Sequence, residues 1–218
     1  MKKILLIIVL IVFTMNIYSQ SSDKLLRYFD IPIMIDTTNT LLIPTRYNTD
    51  KLSSSKIGLR NRYYANILIS PAENLESRKL FETDTYILPL RLTESKRYYD
   101  NYDYSYSKSI FTNWMFFLVK NNDFDKNRII NEKDPTILYV TDLFGTGLRR
   151  ITNENENVVD YYVYEKQNLV MIKIQRDLTK DQKFTYKDKD YYFLFLDYKT
   201  LKVVKRLEMQ EIVMHNKQ

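Results

Sequence analysis

A hairpin-like pattern that occurs three times is the feature that most constrains the fold of this chain. Segments 66–81, 137–152 and 193–208 each hold an apolar run of four or five residues, a polar turn, and a short stretch that ends in two basic residues and an apolar one. Apolar runs this short favour strands, because a helix needs about 10 or more residues at a 3.6-residue period. Self-similar segments also indicate a fold made of stacked units.

A second hairpin is predicted ahead of each copy. Its two strands lie at 31–36 and 41–44 in the first unit, at 85–91 and 113–120 in the second, and at 158–165 and 168–175 in the third. Each unit therefore has four strands. The units cover about 27–83, 84–153 and 154–212. A β-sandwich or an open meander with similar hairpins is the alternative fold.

The middle copy resembles the outer hairpin of the TolB-type β-propeller repeat. That repeat has an apolar strand with a tyrosine, an aspartate at the strand end, a glycine turn, and a closing arginine, apolar residue and threonine. Here these positions are Tyr139, Asp142, Gly145, Arg150, Ile151 and Thr152. The third copy keeps the aspartate as Asp197, whereas the first copy keeps only the apolar and basic pattern. The resemblance implies an all-β, β-propeller-like fold of about three four-stranded antiparallel blade units.

The number of units bears on assembly. Three units are fewer than the 4 to 8 blades that normally close a propeller. Unpaired edge strands would then remain at both ends of the stack, and exposed edges invite pairing with another chain. Two copies in a six-unit ring would cover these edges, so we expect a homodimer.

The N-terminus has the outline of a signal peptide. Two lysines precede an apolar run over 4–13, and a cleavage point is expected after Ser19. The run is about half of the roughly 20 residues that a membrane-spanning helix needs. We therefore expect residues 1–19 to be removed and the remaining domain, 20–218, to be exported to a periplasmic or extracellular space without a membrane span.

Composition excludes several kinds of chemistry. The chain has no cysteine and one histidine, His215, which lies in a polar tail. Disulfides, thiolate zinc sites, cysteine nucleophiles and most histidine-dependent mechanisms are therefore excluded. The formal net charge is +6, but the basic residues are scattered and do not form a stripe. Nucleic acid is consequently not expected as a partner.

Two loops between predicted strands match the spacing of an EF-type calcium loop, in which alternate side chains and the carbonyl of position 7 surround the cation. In the first loop the predicted ligands are Asp123, Asp125, Asn127, Ile129 (carbonyl), Asn131 and Asp134. In the second loop they are Asp177, Thr179, Asp181, Lys183 (carbonyl), Thr185 and Asp188. The loops resemble those of EF-hand and dockerin-like repeats.

Both loops also depart from that resemblance. Position 6 is Arg128 in one loop and Gln182 in the other, where the family has a glycine. Position 12 is aspartate and not the longer glutamate, and several lysines crowd the second loop. We therefore expect weak calcium binding that acts as a structural staple in a cysteine-free exported chain. The alternative is that both loops are polar connections without a metal.

A tyrosine-rich segment over 93–109 separates the first two strands of the middle unit. Its candidate partner-binding residues are Tyr98, Tyr99, Tyr102, Tyr104 and Tyr106. Such flat, amphipathic rings suit contacts with proteins or glycans, and a merely solvated loop is the alternative. Asp100 and Asp103 in this segment are the candidate carboxylate pair of a glycosidase.

Three functions remain open from the sequence. The leading one is an exported non-catalytic β-repeat protein, stabilised by calcium, that acts as a binding or scaffold module for a protein or glycan partner. The alternatives are a carboxylate-based carbohydrate-active enzyme and a purely structural envelope component. Serine hydrolase chemistry is disfavoured because the chain has no G-x-S-x-G motif.

Overall fold

The computed structural model of the chain describes residues 27–50, 52, 58–90 and 113–208. The predicted signal peptide and the tyrosine-rich segment, with Asp100 and Asp103, lie outside the described residues. The candidate partner-binding residues of this segment, which therefore also lie outside the described residues, are Tyr98, Tyr99, Tyr102, Tyr104 and Tyr106. Their role in partner binding stays a prediction.

The described residues form thirteen strands and two single-turn 3-10 helices, at Gly58–Asn61 and Glu165–Gln167. The strands are β1 (Arg27–Phe29), β2 (Ile33–Ile35), β3 (Thr40–Tyr47), β4 (Tyr64–Pro71), β5 (Arg78–Lys79), β6 (Tyr86–Ile87), β7 (Met115–Lys120), β8 (Ile137–Thr141), β9 (Arg149–Arg150), β10 (Asn157–Tyr164), β11 (Leu169–Arg176), β12 (Asp190–Asp197) and β13 (Val203–Glu208). In the part of the chain that is described, no helix is both long and apolar enough to cross a membrane.

The strands form three four-stranded antiparallel units, which we call blades. The first blade is β2-β3-β4-β5, the second is β6-β7-β8-β9 and the third is β10-β11-β12-β13. One pair, Tyr64 with Ile87, links β4 to β6 and joins the first two blades into a single sheet. With β1, which pairs with β3, this sheet has nine strands. The predicted all-β, propeller-like fold is therefore confirmed.

The second blade is buried on both faces. In β7, Met115, Phe117 and Val119 pack into one core with the first blade. Phe116 and Leu118 alternate with them and pack into a second core with the third blade. Successive side chains of a strand point to opposite faces, so a strand that is apolar at every position needs a sheet on each side. The three blades accordingly stack face to face, with the second in the middle.

One strand is much shorter than predicted. The sequence predicts a strand over 85–91, but β6 includes only Tyr86–Ile87. The Leu88 backbone still donates to the Leu118 carbonyl at 2.9 Å. Pro89 follows, and because proline has no N–H it cannot extend the ladder.

Candidate functional site

The two predicted calcium loops lie side by side at one end of the stack. Each connects the second and third strands of its blade, β7 to β8 and β11 to β12. The rings of Phe124 and Phe184 stack with their centroids 5.5 Å apart, and the Phe184 N–H donates to the Lys133 carbonyl at 2.8 Å. Repetition of the blade thus brings equivalent loops into contact.

The first loop gathers three carboxylates. Among the described residues, Asp123, Asp125 and Asp134 form the one group of three whose oxygens all lie within 4.8 Å of one another. Asp123 accepts from the backbone N–H of Arg128 at 2.6 Å, and the buried Asp134 accepts from those of Phe124 and Asn131 at 2.9 and 2.8 Å. These backbone donors hold the carboxylates in place despite their mutual repulsion.

Both loops adopt the same unusual backbone. Loop positions 4 and 6 have positive φ in each, at Lys126 (56°) and Arg128 (67°) and again at Lys180 (57°) and Gln182 (59°). A left-handed conformation costs a residue other than glycine about 1–2 kcal/mol. The missing glycine at position 6 therefore does not change the turn, and each loop carries strain instead.

The amide side chains of the first loop brace its backbone. The Oδ1 atom of Asn127 accepts from the Ile129 N–H at 2.8 Å, and that of Asn131 accepts from the Lys133 N–H at 2.9 Å. The Asn131 amide also donates to the Ile129 carbonyl, the predicted position 7 oxygen, at 3.1 Å. These predicted ligands lie in the loop but are engaged in hydrogen bonds within it.

The second loop is organised around hydrogen bonds to one buried carboxylate. Asp188 is fully buried, and its two oxygens accept from the N–H and hydroxyl groups of Thr179 and Thr185 at 2.9–3.1 Å. Burial alone would raise the pKa of Asp188, but these hydrogen bonds hold it below its usual value. Two of the predicted ligands, Thr179 and Thr185, therefore point at Asp188.

The remaining predicted residues of the second loop stabilise its turn. Asp177 accepts from the Gln182 N–H at 2.8 Å, and Asp181 accepts from the Lys183 N–H at 3.1 Å. In the described part of the chain these carboxylates do not form a group of three with Asp188. The first loop is thus the stronger candidate metal site.

Two buried side chains that the sequence did not single out support the loops from below. The Lys120 ammonium, at the end of β7, donates to the carbonyls of Glu132 and Asp134. Gln175, near the end of β11, donates to the carbonyls of Thr185 and Asp188 at 2.9 and 2.8 Å. A polar residue near the end of an apolar strand, repeated in two blades, was the available signal.

Burial perturbs the ionisation of Lys120. Its side chain lies in a residue that is 5% exposed. Desolvation lowers the pKa of Lys120 to about 8, although the nearby Asp134 and Glu132 carboxylates oppose the shift. Burial of the charged form of Lys120 beneath the first loop therefore lowers the free energy of unfolding.

A cleft lies on the opposite side of the first blade from the core. Its volume is about 230 Å³, and its lining residues are Arg27, Tyr28, Phe29, Thr45, Asn66, Leu68, Lys79 and Asp84. The guanidinium of Arg27 forms an ion pair with Oδ2 of Asp84, whereas the buried Oδ1 atom accepts no hydrogen bond. Among the described residues that line the cleft, Asp84 is thus the one carboxylate, and it is already paired with Arg27.

The blades and the loop define an all-β, propeller-like protein with a candidate cation site. The fold is similar to two solved β-propeller structures. One is an oligogalacturonate lyase in complex with manganese, 11% identical with a TM-score of 0.42, the match covering 83% of this chain and 42% of that chain. The other is a proposed dipeptidyl aminopeptidase IV from Bacteroides ovatus, 10% identical with a TM-score of 0.37, covering 82% of this chain and 22% of that one.

This similarity concerns the fold alone. The chain spans less than half of the length of either neighbour. No family model and no curated protein sequence matches the chain.

Proposed function

We propose that this chain is an exported, non-catalytic propeller-like protein that is stabilised by calcium and serves as a binding or scaffold module for a protein or glycan partner. The observation that carries the proposal is the first loop, where three carboxylates converge on a backbone with left-handed positions 4 and 6. Calcium binds in oxygen-rich loops of this kind.

The chemistry of the loop favours calcium over magnesium. The ligands would be the carboxylates of Asp123, Asp125 and Asp134 with the Ile129 carbonyl, and water completes such shells. Calcium accepts 6 to 8 oxygens in irregular geometry, whereas magnesium demands a near-ideal octahedron. Because the loop is exposed and strained, we expect a dissociation constant in the weak range of extracellular modules, about 0.1–1 mM.

The second loop is the weaker site in this proposal. The Asp188 oxygens accept from two threonine hydroxyls as well as from backbone N–H groups, and among the described residues Asp177 and Asp181 do not gather around Asp188 as Asp123 and Asp125 gather around Asp134. Lys180, Lys183 and Lys187 in the same loop oppose a divalent cation.

Export is consistent with a calcium staple. Two lysines and the apolar run over 4–13 support removal of residues 1–19, and calcium is abundant outside cells at the concentration that a weak site needs. A chain without cysteine cannot use disulfides there, so a metal-braced loop supplies a comparable restraint. The tyrosines of segment 93–109 are the proposed contact for the partner.

Two alternative functions can be distinguished from this proposal by the chemistry that each requires. A carbohydrate-active enzyme needs two carboxylates about 5–10 Å apart across one cleft. The lining of the cleft on the first blade includes one, Asp84, and this favours binding over hydrolysis there. A purely structural envelope component would show neither calcium-linked stability nor a ligand.

A thermal scan in calcium and in chelator tests the proposal. With about 1 mM calcium and a dissociation constant near 0.1 mM, one site adds about RT ln 11, or about 1.4 kcal/mol. The melting temperature should then rise by about 3–6 °C. The double variant Asp123→Ala with Asp125→Ala should lose most of this rise, and Asp177→Ala a smaller part.

The matched control is Asp36→Ala, which removes an exposed aspartate from a turn at the other end of the stack. It should keep the full calcium response. Equal melting temperatures of the unaltered protein in millimolar calcium and in chelator would falsify the metal assignment, and both loops would then be polar connections.

A further inference from the structure

Among the described residues, the third blade has an outer face that no other blade covers. Side chains opposite to its core positions form a row across three strands, since Tyr162 pairs with Met171 and Met171 with Phe195. Phe193 lies in the next row, and its ring centroid is 6.4 Å from that of Phe195. Tyr162 is 41% exposed, and Tyr164 further along β10 is 42% exposed. Asp160, Lys173 and Lys205 lie on the same face beside these aromatic and apolar groups.

The first blade also presents an outer face. Met34 and Phe29 are 41% and 69% exposed, whereas Ile35 and Leu42 on the other side of the same sheet are fully buried. The cleft described above opens on this outer face beside Phe29. The stack of three blades therefore has an outer sheet face at each end, on the first blade and on the third.

The size of the cleft indicates what it receives. Pockets for small molecules usually have volumes of about 300–1,000 Å³, and this one has about 230 Å³. A cleft of this size, lined by Tyr28, Phe29 and Leu68 together with polar residues, suits a side chain from a facing protein surface, where aromatic anchors fill pockets of this kind.

We propose that the outer face of the third blade packs on the outer face of the first blade in a second copy of this chain, so that two copies complete a six-bladed ring. The contact would repeat the face-to-face packing by which the second blade already contacts both neighbours. Two copies give six blades, within the 4 to 8 of closed propellers, whereas three copies give nine. This assembly is independent of calcium and of the proposed function.

The molar mass of the purified protein tests the assembly. At tens of micromolar, in calcium and in chelator, light scattering should give twice the mass of one chain. Tyr162→Asp places a charge in the contact and should give the mass of one chain with an unchanged circular dichroism spectrum. The matched control is Tyr186→Asp, which alters an 81% exposed tyrosine in the second loop and should stay dimeric.

Cross-linking tests which surfaces meet and does not depend on the charge variant. The chain has no cysteine, so single cysteines can be placed freely. Stacked sheets lie about 10 Å apart, so a bismaleimide of about that length should link copies carrying Met171→Cys to copies carrying Met34→Cys. Copies carrying Phe144→Cys, an exposed side chain of the turn between β8 and β9, should not be linked. A single-chain mass for the unaltered protein, or linkage no stronger than that of Phe144→Cys, would overturn the proposal.

Discussion

At the scale of single residues, one glycine lets a turn of the second blade pack closely on the first blade. Gly145 has a φ of +69°, and a Cβ atom there would clash with the side chain of Ile69. Neighbouring carbonyls of the same turn accept from the first blade, that of Phe144 from Arg78 at 3.0 Å and that of Leu143 from Thr38 at 3.1 Å. The turn is thus docked and not free in solvent.

Gly145→Ala should therefore destabilise the protein more than Gly147→Ala. Both glycines have positive φ, but a Cβ atom at Gly147 meets nothing within 4 Å. Strain alone costs about 1–2 kcal/mol at either position, and overpacking adds about 1–3 kcal/mol at Gly145. Urea unfolding measures both, and equal losses would show that the turn does not pack on Ile69.

Lys120→Gln should change how stability depends on pH. The pKa of Lys120 is lowered from 10.5 to about 8 in the folded state, so between these values the unfolded chain binds more protons. The free energy of unfolding therefore rises as pH rises from about 8 to 10.5, and Lys120 contributes up to about 3 kcal/mol to this rise. The glutamine copies Gln175 and does not titrate.

The measurement is the free energy of unfolding in chelator, across that pH range, for both proteins. The free energy of unfolding of the unaltered protein should rise with pH relative to that of the variant. If the free energies of unfolding of the two proteins change with pH in the same way, folding does not lower the pKa of Lys120 and its charged form is not buried.

At the scale of elements, strands were easier to predict from the sequence than what supports the loops. Short apolar runs bounded by polar turns predicted the hairpins, and the spacing of Asp123, Asp125 and Asp134 predicted their convergence. β6 is short because its pairing with β7 ends at Pro89. The apolar pattern of segment 85–91 alone does not show where this pairing ends. Lys120 was missed because a lysine at a strand end reads as solvent-facing, and only tertiary contacts bury it.

Arg128→Gly should stabilise the first loop relative to Arg128→Ala. Both changes remove the same charge, but only glycine adopts a φ of 67° without steric cost. After the larger entropy of glycine in the unfolded chain is subtracted, the difference should be about 0.5–1 kcal/mol. Denaturant unfolding compares the two variants, and an alanine variant at least as stable as the glycine variant would contradict a left-handed position 6.

At the scale of the whole molecule, stability comes from blades that bury one another. The second blade has no exposed face of its own, and the third meets it through a core that includes Val170, Ile172 and Leu196. Trp114 reinforces that junction, since its indole N–H donates to the Tyr198 carbonyl at 2.8 Å. Such mutual burial predicts that the blades unfold together.

Trp114 is the one tryptophan of the chain and therefore reports the junction between the second and third blades. Its fluorescence and the far-ultraviolet circular dichroism should change at the same urea concentration. An earlier fluorescence transition would show that the third blade separates before the rest unfolds.

The most direct test of the calcium-braced loop is a crystal structure of the protein grown in millimolar calcium. We predict one strong density peak in the first loop, 2.3–2.6 Å from oxygens of Asp123, Asp125 and Asp134. The second loop should hold a weaker peak or water. Water alone between the three carboxylates, or a lysine ammonium in that place, would show that the first loop does not bind calcium.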